Sequence, residues 1–498
     1  MSEREIISAI KYVSRMKQDF MLSEIRNYIK SEMSTQDIYN IIYPLSFDIG
    51  IDVIAQGDDF KVSHAPKGKI ELTETELKKN TVFFKSATVS RKLERLIEQY
   101  VEKKTAKKWN DPEMLDKIRK AVVAQKSEYW KEGKARNISY EKGYHILGYL
   151  AYQFPVYFVQ SQHILYKMMQ EGLLKKRMTI LDVGTGAGTV PLSIVDLYNR
   201  LDDHRATIYS IEKYDENIEA YKFLVPEYAG RRSKVSIQEP IKADIKKLDM
   251  EKIPDKIDLM VFSNVLNELE GMDTKQKADI VMKLSGKLSE DGNIIIIEPA
   301  DKVNSIEARK LTIELKERGL GIYGPCSFIW GPGCTPESCW SFEQKPDIKS
   351  TRLMQTMADC PESYRYINTD IKYTYAILRK DKLSEKKYRV PSKARFLRFS
   401  HLQKHIGKRI NVICSLMSSD LANENYSVYK VCDGTSRKSV YAIMPLHNIT
   451  EENISLRKAN YGDILSIENV LVKYNEITDS YNLLVGKGSF IELVEGNL

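Results

Sequence analysis

The chain has 498 residues with an apolar share of 42%, enough for about three domains with sizeable cores. Its formal charge of +8 comes from 76 basic and 68 acidic residues, so the placement of the cations matters more than their excess. No run of about 18 apolar residues occurs, so no membrane-spanning helix is expected, and the N-terminus MSEREIISAI lacks a signal-peptide core, so a cytoplasmic location is expected.

Residues 1–68 read as a winged-helix-like domain. SEREIISAIKYVSRM has helical periodicity with a Ser2/Glu5 capping box, Leu22–Lys30 and Thr35–Leu45 follow as short helices, and IDVIAQGDDFKVS reads as two strands about a Gly-Asp-Asp turn. The Thr35–Leu45 helix is not basic, so no DNA specificity is expected. A helical region spans 69–176. It contains a basic stretch, Lys103–Arg136, interleaved with Trp109, Tyr129 and Trp130, which reads as a solvated helix face with RNA contact as the minority alternative. The aromatic-rich segment YEKGYHILGYLAYQFPVYFVQSQHILYKMM reads as a helix pair packed on the next domain.

Residues 177–380 carry the strongest pattern. Ile180–Val183 reads as a buried parallel strand, the glycine turn Gly184, Gly186, Gly188 follows, and then a helix over Val190–Leu201. Strand, glycine turn and helix open a doubly wound nucleotide-binding unit. A second strand, ATIYSIE, ends at Glu212, where a carboxylate suits a ribose diol. KVSIQEPIKADI is read as the third strand with Asp244 at its end, IDLMVFSNVLNEL as the fourth, and GNIIIIEPAD as the fifth after a helix over 274–288. The fold class expected is α/β, a Rossmann-like core. The order resembles class I S-adenosylmethionine-dependent methyltransferases. That resemblance implies that Asp182, Gly184, Gly186 and Gly188 hold the amino-acid part of the cofactor, Glu212 the ribose hydroxyls and Asp244 the adenine amino group. Asn264, with Asn267 and Glu268, is placed at the pocket rim. The segment SNVLNEL has no Asn-Pro-Pro-Tyr motif and no cysteine, so neither adenine-amine nor cytosine-C5 chemistry is indicated. No general base stands out, and the catalytic residues stay unassigned.

All six cysteines lie at or after Cys326, and Cys326, Cys334 and Cys339 share a loop rich in Gly, Pro and aromatics, within 322–362. Such loops turn thiolates toward one point for zinc or an iron–sulfur cluster. A fourth ligand must come from Cys360, Cys414 or Cys432.

Together GYLAYQFPVYFV, LDVGTGAGT, SNVLNEL, IIIIEPAD with Arg309, GPC…C…CWSF, DIKYTYAIL and VCDGTSRKSVYAIMP…LRKANYGDIL resemble the methyltransferase-like assembly factors of the small ribosomal subunit, over roughly 140–470. That resemblance implies a four-cysteine [4Fe–4S] cluster, with zinc as the alternative, and small-subunit ribosomal RNA or the small subunit itself as partner. It also implies that Cys432, in VCDGT, is the fourth ligand, although the first cysteine spacing departs from the family's usual one.

Residues 381–408 read as a basic linker. The surrounding stretch 379–409 is the best candidate for phosphate contact, with Tyr388, Phe396 and Phe399 interleaved. Residues 409–498 are expected to form an OB-fold-like barrel of five strands with ENISLRK as an intervening helix. The function expected is an S-adenosylmethionine-binding, methyltransferase-like protein acting on rRNA during small-subunit assembly. The alternative is a non-catalytic assembly factor that keeps its pocket and cluster for structure or sensing.

Overall fold

The computed structural model describes the chain apart from residues 1–2, 18, 30–32, 44–45, 47–49, 65–69, 130–143, 203, 232, 332, 423 and 495–498. Ser2 of the expected capping box, and Trp130 with the end of the basic stretch, fall outside the described residues.

The N-terminal unit runs α1 (Glu3–Met16), β1 (Asp19–Met21), a 3-10 turn at Leu22–Ile25 continued by a single helical turn at Arg26–Ile29, α2 (Thr35–Ile42), β2 (Ile51–Gln56) and β3 (Asp59–His64). Its sheet order is β1-β3-β2. The expected helix at Leu22–Lys30 is thus partly 3-10, and β1 was not anticipated: three residues that bury only Phe20 give no periodicity to read. Ser34 caps α2, its Oγ accepting from Asp37 N at 3.0 Å. The unit closes on Ile6, Ile10, Val13, Phe20, Leu22, Ile25 and Ile38.

Helices α3 (Glu74–Lys85), α4 (Arg91–Thr105), α5 (Pro112–Tyr129), α6 (Tyr144–Tyr152) and α7 (Phe154–Gln170) follow. They share one core with a face of the next sheet: Leu147, Phe154, Phe158 and Met168 are buried in the same cluster as Ile180, Leu259 and Tyr375. The cations of this region have internal partners. Lys107 and Lys117 pair with Glu113, Lys104 with Glu219, and Lys120 with Asp116. Arg119 Nε donates to Met357 O at 2.9 Å, and Trp109 lies under the Arg352 guanidinium at 4.8 Å. This is a solvated helix face on which several of the described cations are paired.

The central domain contains β4 (Arg177–Val183), α8 (Thr189–Tyr198), β5 (Arg205–Glu212), α9 (Asp215–Ala229), β6 (Val235–Ile237), β7 (Ile241–Lys242), β8 (Ile257–Ser263), α10 (Thr274–Ser285), β9 (Leu288–Pro299), α11 (Lys302–Glu317), β10 (Gly321–Gly324), β11 (Glu343–Lys345), α12 (Arg352–Met357) and β12 (Ile371–Arg379). The sheet order is β10-β12-β9-β8-β4-β5-β6. Strands β6, β5, β4, β8 and β9 are parallel, while β12 is antiparallel to both β9 and β10. This is the class I methyltransferase sheet. The expected third strand splits into β6 and β7, and the expected helix over 274–288 stops at Ser285 because Leu288 already belongs to β9. The cysteine loop is inserted between β10 and β12.

The C-terminal strands are β13 (Arg409–Leu416), β14 (Tyr426–Cys432), β15 (Val440–Pro445), β16 (Ile464–Asn475), β17 (Ser480–Leu484) and β18 (Phe490–Leu493). The path β13-β14-β15-β17-β16 closes through a β13–β16 pairing, with β15 and β17 parallel. Five strands therefore make a barrel, and the expected last strand breaks at Gly486–Gly488, so that β18 pairs with the first half of β16 on the edge facing away from β13.

One buried pair sets the β4–β8 junction. Asp258 is 2% exposed; its Oδ2 accepts from Thr179 N at 2.9 Å and its Oδ1 from Lys175 Nζ at 2.8 Å. Removing one partner of such a pair costs about 3–5 kcal/mol, whereas an exposed pair contributes about 0–1 kcal/mol. Asp258→Ala is therefore expected to lower the thermal midpoint by many degrees, while Lys120→Ala, which breaks the exposed Asp116 pair, leaves it almost unchanged. Equal midpoints would contradict this assignment.

Candidate functional site: a cofactor pocket and a thiol-lined cavity

The first site lies at the C-terminal ends of β4, β5 and β8, where the sheet order reverses. The glycine turn is pinned to β5 because Gly184 N and Thr185 N both donate to Ile211 O, at 2.9 and 3.0 Å. Gly184 has φ +73°, and a Cβ there would lie 2.5 Å from Val265 Cγ2. Gly186 has φ +57° and open space where a Cβ would project, which leaves room for a ligand against the backbone. Gly188 does not line the pocket. It sits at the start of α8, where a side chain would meet Val225 and Tyr221 of α9.

Asp182, Gly184, Gly186, Glu212, Asp244 and Asn264 all line one pocket of about 1100 Å³, counted with its opening to solvent. Glu212 Oε2 accepts from Gly186 N at 2.8 Å, and Oε1 accepts from Lys213 N and Tyr214 N at 2.7 and 2.8 Å. Burial raises its carboxyl above the ordinary range, and these three donors oppose that shift. At Asp244 burial pulls upward, but Lys246 N–H and the Lys213 ammonium outweigh it and hold the carboxyl below its usual range. Asp182 is 1% exposed. Burial, with Glu212 adding to it, pushes Asp182 up to about 7, and its Oδ2 is buried with no partner among the described residues. Asn264 has φ +53°, rare for a non-glycine residue, and its Oδ1 is likewise buried and unpartnered. Unsatisfied acceptors and a bare glycine facing the same space fit a ligand carrying N–H and O–H donors.

Sequence reading missed three groups. Tyr149 of α6 and Tyr157 of α7 line the pocket, with Tyr149 hydroxyl 2.8 Å from Thr189 Oγ1. The helix pair is packing, as expected, and also a pocket wall; the two tyrosines stand on different helices, so no single helical period marks them. Glu298, at the end of β9, is 3% exposed. Its Oε1 accepts from Leu266 N and Asn267 N at 3.2 and 3.3 Å, and burial pushes it up to about 8.

The second site lies between the central domain and the barrel. Cys326, Cys334, Cys339 and Cys432 line one cavity of about 490 Å³, counted with its opening, together with Arg309. Cys360, at the end of α12, packs against the helical core, and Cys414 is buried in the barrel core. Burial pushes Cys334 up to about 12 and raises Cys326 and Cys432 as well. Among the described residues, no three His, Cys, Asp or Glu side chains gather tightly enough to hold a single metal ion. Trp340 Nε1 donates to Ala300 O at 2.7 Å and fixes the loop to the end of β9.

The expected basic linker is largely a strap held to the body. Arg379 pairs with Asp381 and Asn293, Lys386 with Asp463 at 3.1 Å, and Arg389 donates to Ser327 O. Phe399 is a barrel-core residue, while Tyr388 and Phe396 pack around Ile329, Ile413 and Ile464. The interleaved aromatics are therefore not a stacking platform. Lys393, Arg395, Lys404 and Lys408 remain exposed.

A methyltransferase domain family matches residues 174–331. Two families of unknown function match the ends, an N-terminal domain over 3–56 and a C-terminal domain over 400–494. No curated protein matches the chain. Similar solved structures include an S-adenosylmethionine-dependent methyltransferase from Clostridium acetobutylicum (12% identity, 45% of this chain and 91% of that one, TM-score 0.27). Others are the CcbJ methyltransferase from Streptomyces caelestis (11%, 45% and 95%, 0.28) and the mitomycin 7-O-methyltransferase MmcR (13%, 65% and 89%, 0.25). Likenesses at this level bear on neither acceptor nor mechanism. The chain thus carries a class I methyltransferase domain, and that fold implies binding of S-adenosylmethionine. No described helix is long and apolar enough to cross a membrane.

The two inner glycines separate by experiment. Gly184→Ala is expected to destabilise the protein by about 3 kcal/mol, the sum of overpacking and left-handed strain. Gly186→Ala pays the strain alone, about 1–2 kcal/mol, yet loses cofactor affinity. Thermal midpoints and calorimetric titration read the two effects, and a Gly186→Ala protein that binds normally would remove Gly186 from the pocket floor.

Proposed function

We propose that the chain binds S-adenosylmethionine at the glycine turn and acts on small-subunit ribosomal RNA during ribosome assembly, with a [4Fe–4S] centre held by Cys326, Cys334, Cys339 and Cys432. The observation that carries this reading is the convergence of four thiols, drawn from the methyltransferase domain and the barrel, in a chain that also carries the cofactor pocket. A single zinc ion with Zn–S near 2.3 Å draws its sulfurs to about 3.8 Å from one another. Thiols spread around a cavity suit a polynuclear centre better.

Asp182 would receive the cofactor's ammonium, Glu212 its ribose hydroxyls, and Asp244 its adenine amino group. When bound, S-adenosylmethionine supplies an electrophilic methyl group. The chain contributes orientation of an acceptor in line with that methyl and exclusion of water by Tyr149 and Tyr157. The winged-helix reading of the N-terminal unit is supported by its helix order and three-stranded sheet. The OB reading is supported by the closed 1-2-3-5-4 strand path with a parallel third–fifth pair. The exposed Lys393, Arg395, Lys404 and Lys408 suit phosphate contact.

A non-catalytic reading has one observation in its favour. Glu298, the buried carboxyl closest in kind to a base, is engaged with the backbone of Leu266 and Asn267. The two readings separate when purified protein is incubated with labelled cofactor and either naked rRNA or immature small subunits. Transfer of label supports the enzyme; cofactor and rRNA binding without transfer supports the assembly factor; neither binding nor transfer defeats both. In the same preparations Cys432→Ser is expected to lose iron and sulfide, and Cys360→Ser and Cys414→Ser to keep them.

Asp182 gives a pH signature. Its raised value means that the ligand-free fold favours the protonated acid: stability from this group is present below the ordinary carboxylate value of 3.8 and is lost as pH rises through about 7. A cationic ammonium prefers the carboxylate, so affinity should rise by up to about tenfold between pH 6 and pH 8. Asp182→Asn is expected to flatten that profile in calorimetric titrations. A profile unchanged by the substitution would assign the dependence elsewhere.

A further inference from the structure

Two cations are buried at the thiol-lined cavity, and neither has a carboxylate partner among the described residues. Arg309 of α11 is 2% exposed and Lys430 of β14 is 4% exposed. Arg309 Nε donates to Ser341 Oγ at 3.0 Å, Nη1 to Tyr375 O at 2.7 Å, and Nη2 to Tyr461 hydroxyl at 2.8 Å. Lys430 Nζ donates to Ser338 O at 3.1 Å and Ser439 Oγ at 3.0 Å. Every one of these acceptors is neutral. Arg309 lines the cavity with Cys326, Cys334, Cys339 and Cys432, and Lys430 lines its neighbour with Cys334, Cys339 and Cys432. Burial pulls the Lys430 ammonium below its usual range; Cys339 and Cys432 oppose that shift, while Lys302 and Arg309 add to it. The nearby carboxylate, Asp433, is saturated by Phe399 N, Thr435 N and Thr435 Oγ1.

Burying a charge is costly unless an opposite charge accompanies it. Two buried, uncompensated cations in one place point to an anion that completes the site. Four thiolates around a dipositive core leave a net charge of about −2, whether the core is an oxidised [4Fe–4S] unit or zinc. The count matches.

The cations also come from different domains. Arg309 belongs to the methyltransferase domain and reaches Tyr461 beyond the barrel's third strand. Lys430 belongs to the barrel and reaches Ser338 in the cysteine loop. Around them, Ser338 Oγ donates to Arg437 O at 2.7 Å, and Ser327 and Ser415 hydroxyls lie 2.5 Å apart.

We infer that Arg309 and Lys430 are the paired counter-charges of an anionic tetrathiolate centre, one from each domain, so that filling the centre and docking the barrel stabilise each other. This rests on the proposed cluster. It assigns positioning roles to two side chains that ligate nothing, and it makes the centre an electrostatic clasp between domains.

The test uses full-length protein purified without oxygen, as wild type, Lys430→Met, Lys430→Arg, Arg309→Met and Arg309→Lys. Iron, sulfide and zinc per chain are measured first. The midpoint of one-electron reduction by dithionite is then followed by electron paramagnetic resonance. Reduction makes the centre more negative, so loss of a nearby cation disfavours it. Lys430→Met and Arg309→Met are expected to raise the oxidised-to-reduced ratio at fixed potential at least tenfold, about 59 mV lower in midpoint. Lys430→Arg and Arg309→Lys should stay within threefold of wild type. Proteolysis within 380–408 should accelerate about tenfold when the metal is stripped.

If a methionine variant fails to load while its charge-keeping counterpart loads fully, the inference holds. If both fail alike, shape rather than charge is at work and the inference is overturned. A loaded Lys430→Met protein with an unmoved midpoint overturns it as well, and leaves the cluster reading intact. Zinc in place of iron overturns the iron–sulfur reading only; the inference then predicts at least tenfold easier removal of zinc by chelator from the methionine variants. A wild type holding neither metal overturns both.

Discussion

The buried guanidinium of Arg309 is the constraint on which the arrangement at the domain seam depends. A planar fork of donors in a site closed to water must be satisfied in fixed directions. Here those directions lead to the cysteine loop through Ser341, to β12 through Tyr375, and to the segment before β16 through Tyr461. Three parts of the chain, up to 152 residues from Arg309, are thereby held to one point. Cys432 reaches the other thiols only because the barrel is seated there. The apolar contact of Ile329 with Ile413 and Ile464 brings the surfaces together; the guanidinium and the serine contacts fix their register.

The same stretch of chain serves both sites. Near the end of strand β9 stands Glu298, whose carboxyl holds the backbone of Leu266 and Asn267. Two residues later Ala300 O receives Trp340 of the cysteine loop, and α11 then carries Arg309 into the thiol cavity. A rigid strand end and one helix thus give the two pockets a common frame. Their relative position is set by a few covalently linked turns rather than by a flexible hinge.

Much of the central domain was legible because parallel strands buried on both faces are written as continuous apolar runs, and Asp182, Glu212 and Asp244 each stand where such a run ends. Gly184 and Gly186 were legible as turn residues. The different duty of Gly188, making room for Val225, needed the packing partner and could not be read locally. Tyr149 and Tyr157 were hidden for the same reason: on a helix with apolar residues nearly all round, a pocket-facing tyrosine and a core tyrosine look alike. Short strands such as β1 and the β6–β7 break carry too few residues for a period to show. Lys430 was the least legible of all. It sits in VYKVCDG as an ordinary strand lysine, and only tertiary structure reveals that its ammonium is enclosed.

Charge taught the reverse lesson. The two most basic stretches looked like the natural phosphate-binding surfaces, yet several of their cations are held by internal partners. Lys104, Lys107, Lys117 and Lys120 face carboxylates on neighbouring turns and helices, and Arg379 and Lys386 clamp the strap to the body. An ion paired internally is a poor counterion for a phosphate, because binding would first have to break the pair. Among the exposed cations of the second stretch are Lys393, Arg395, Lys404 and Lys408, where the strap crosses onto the barrel.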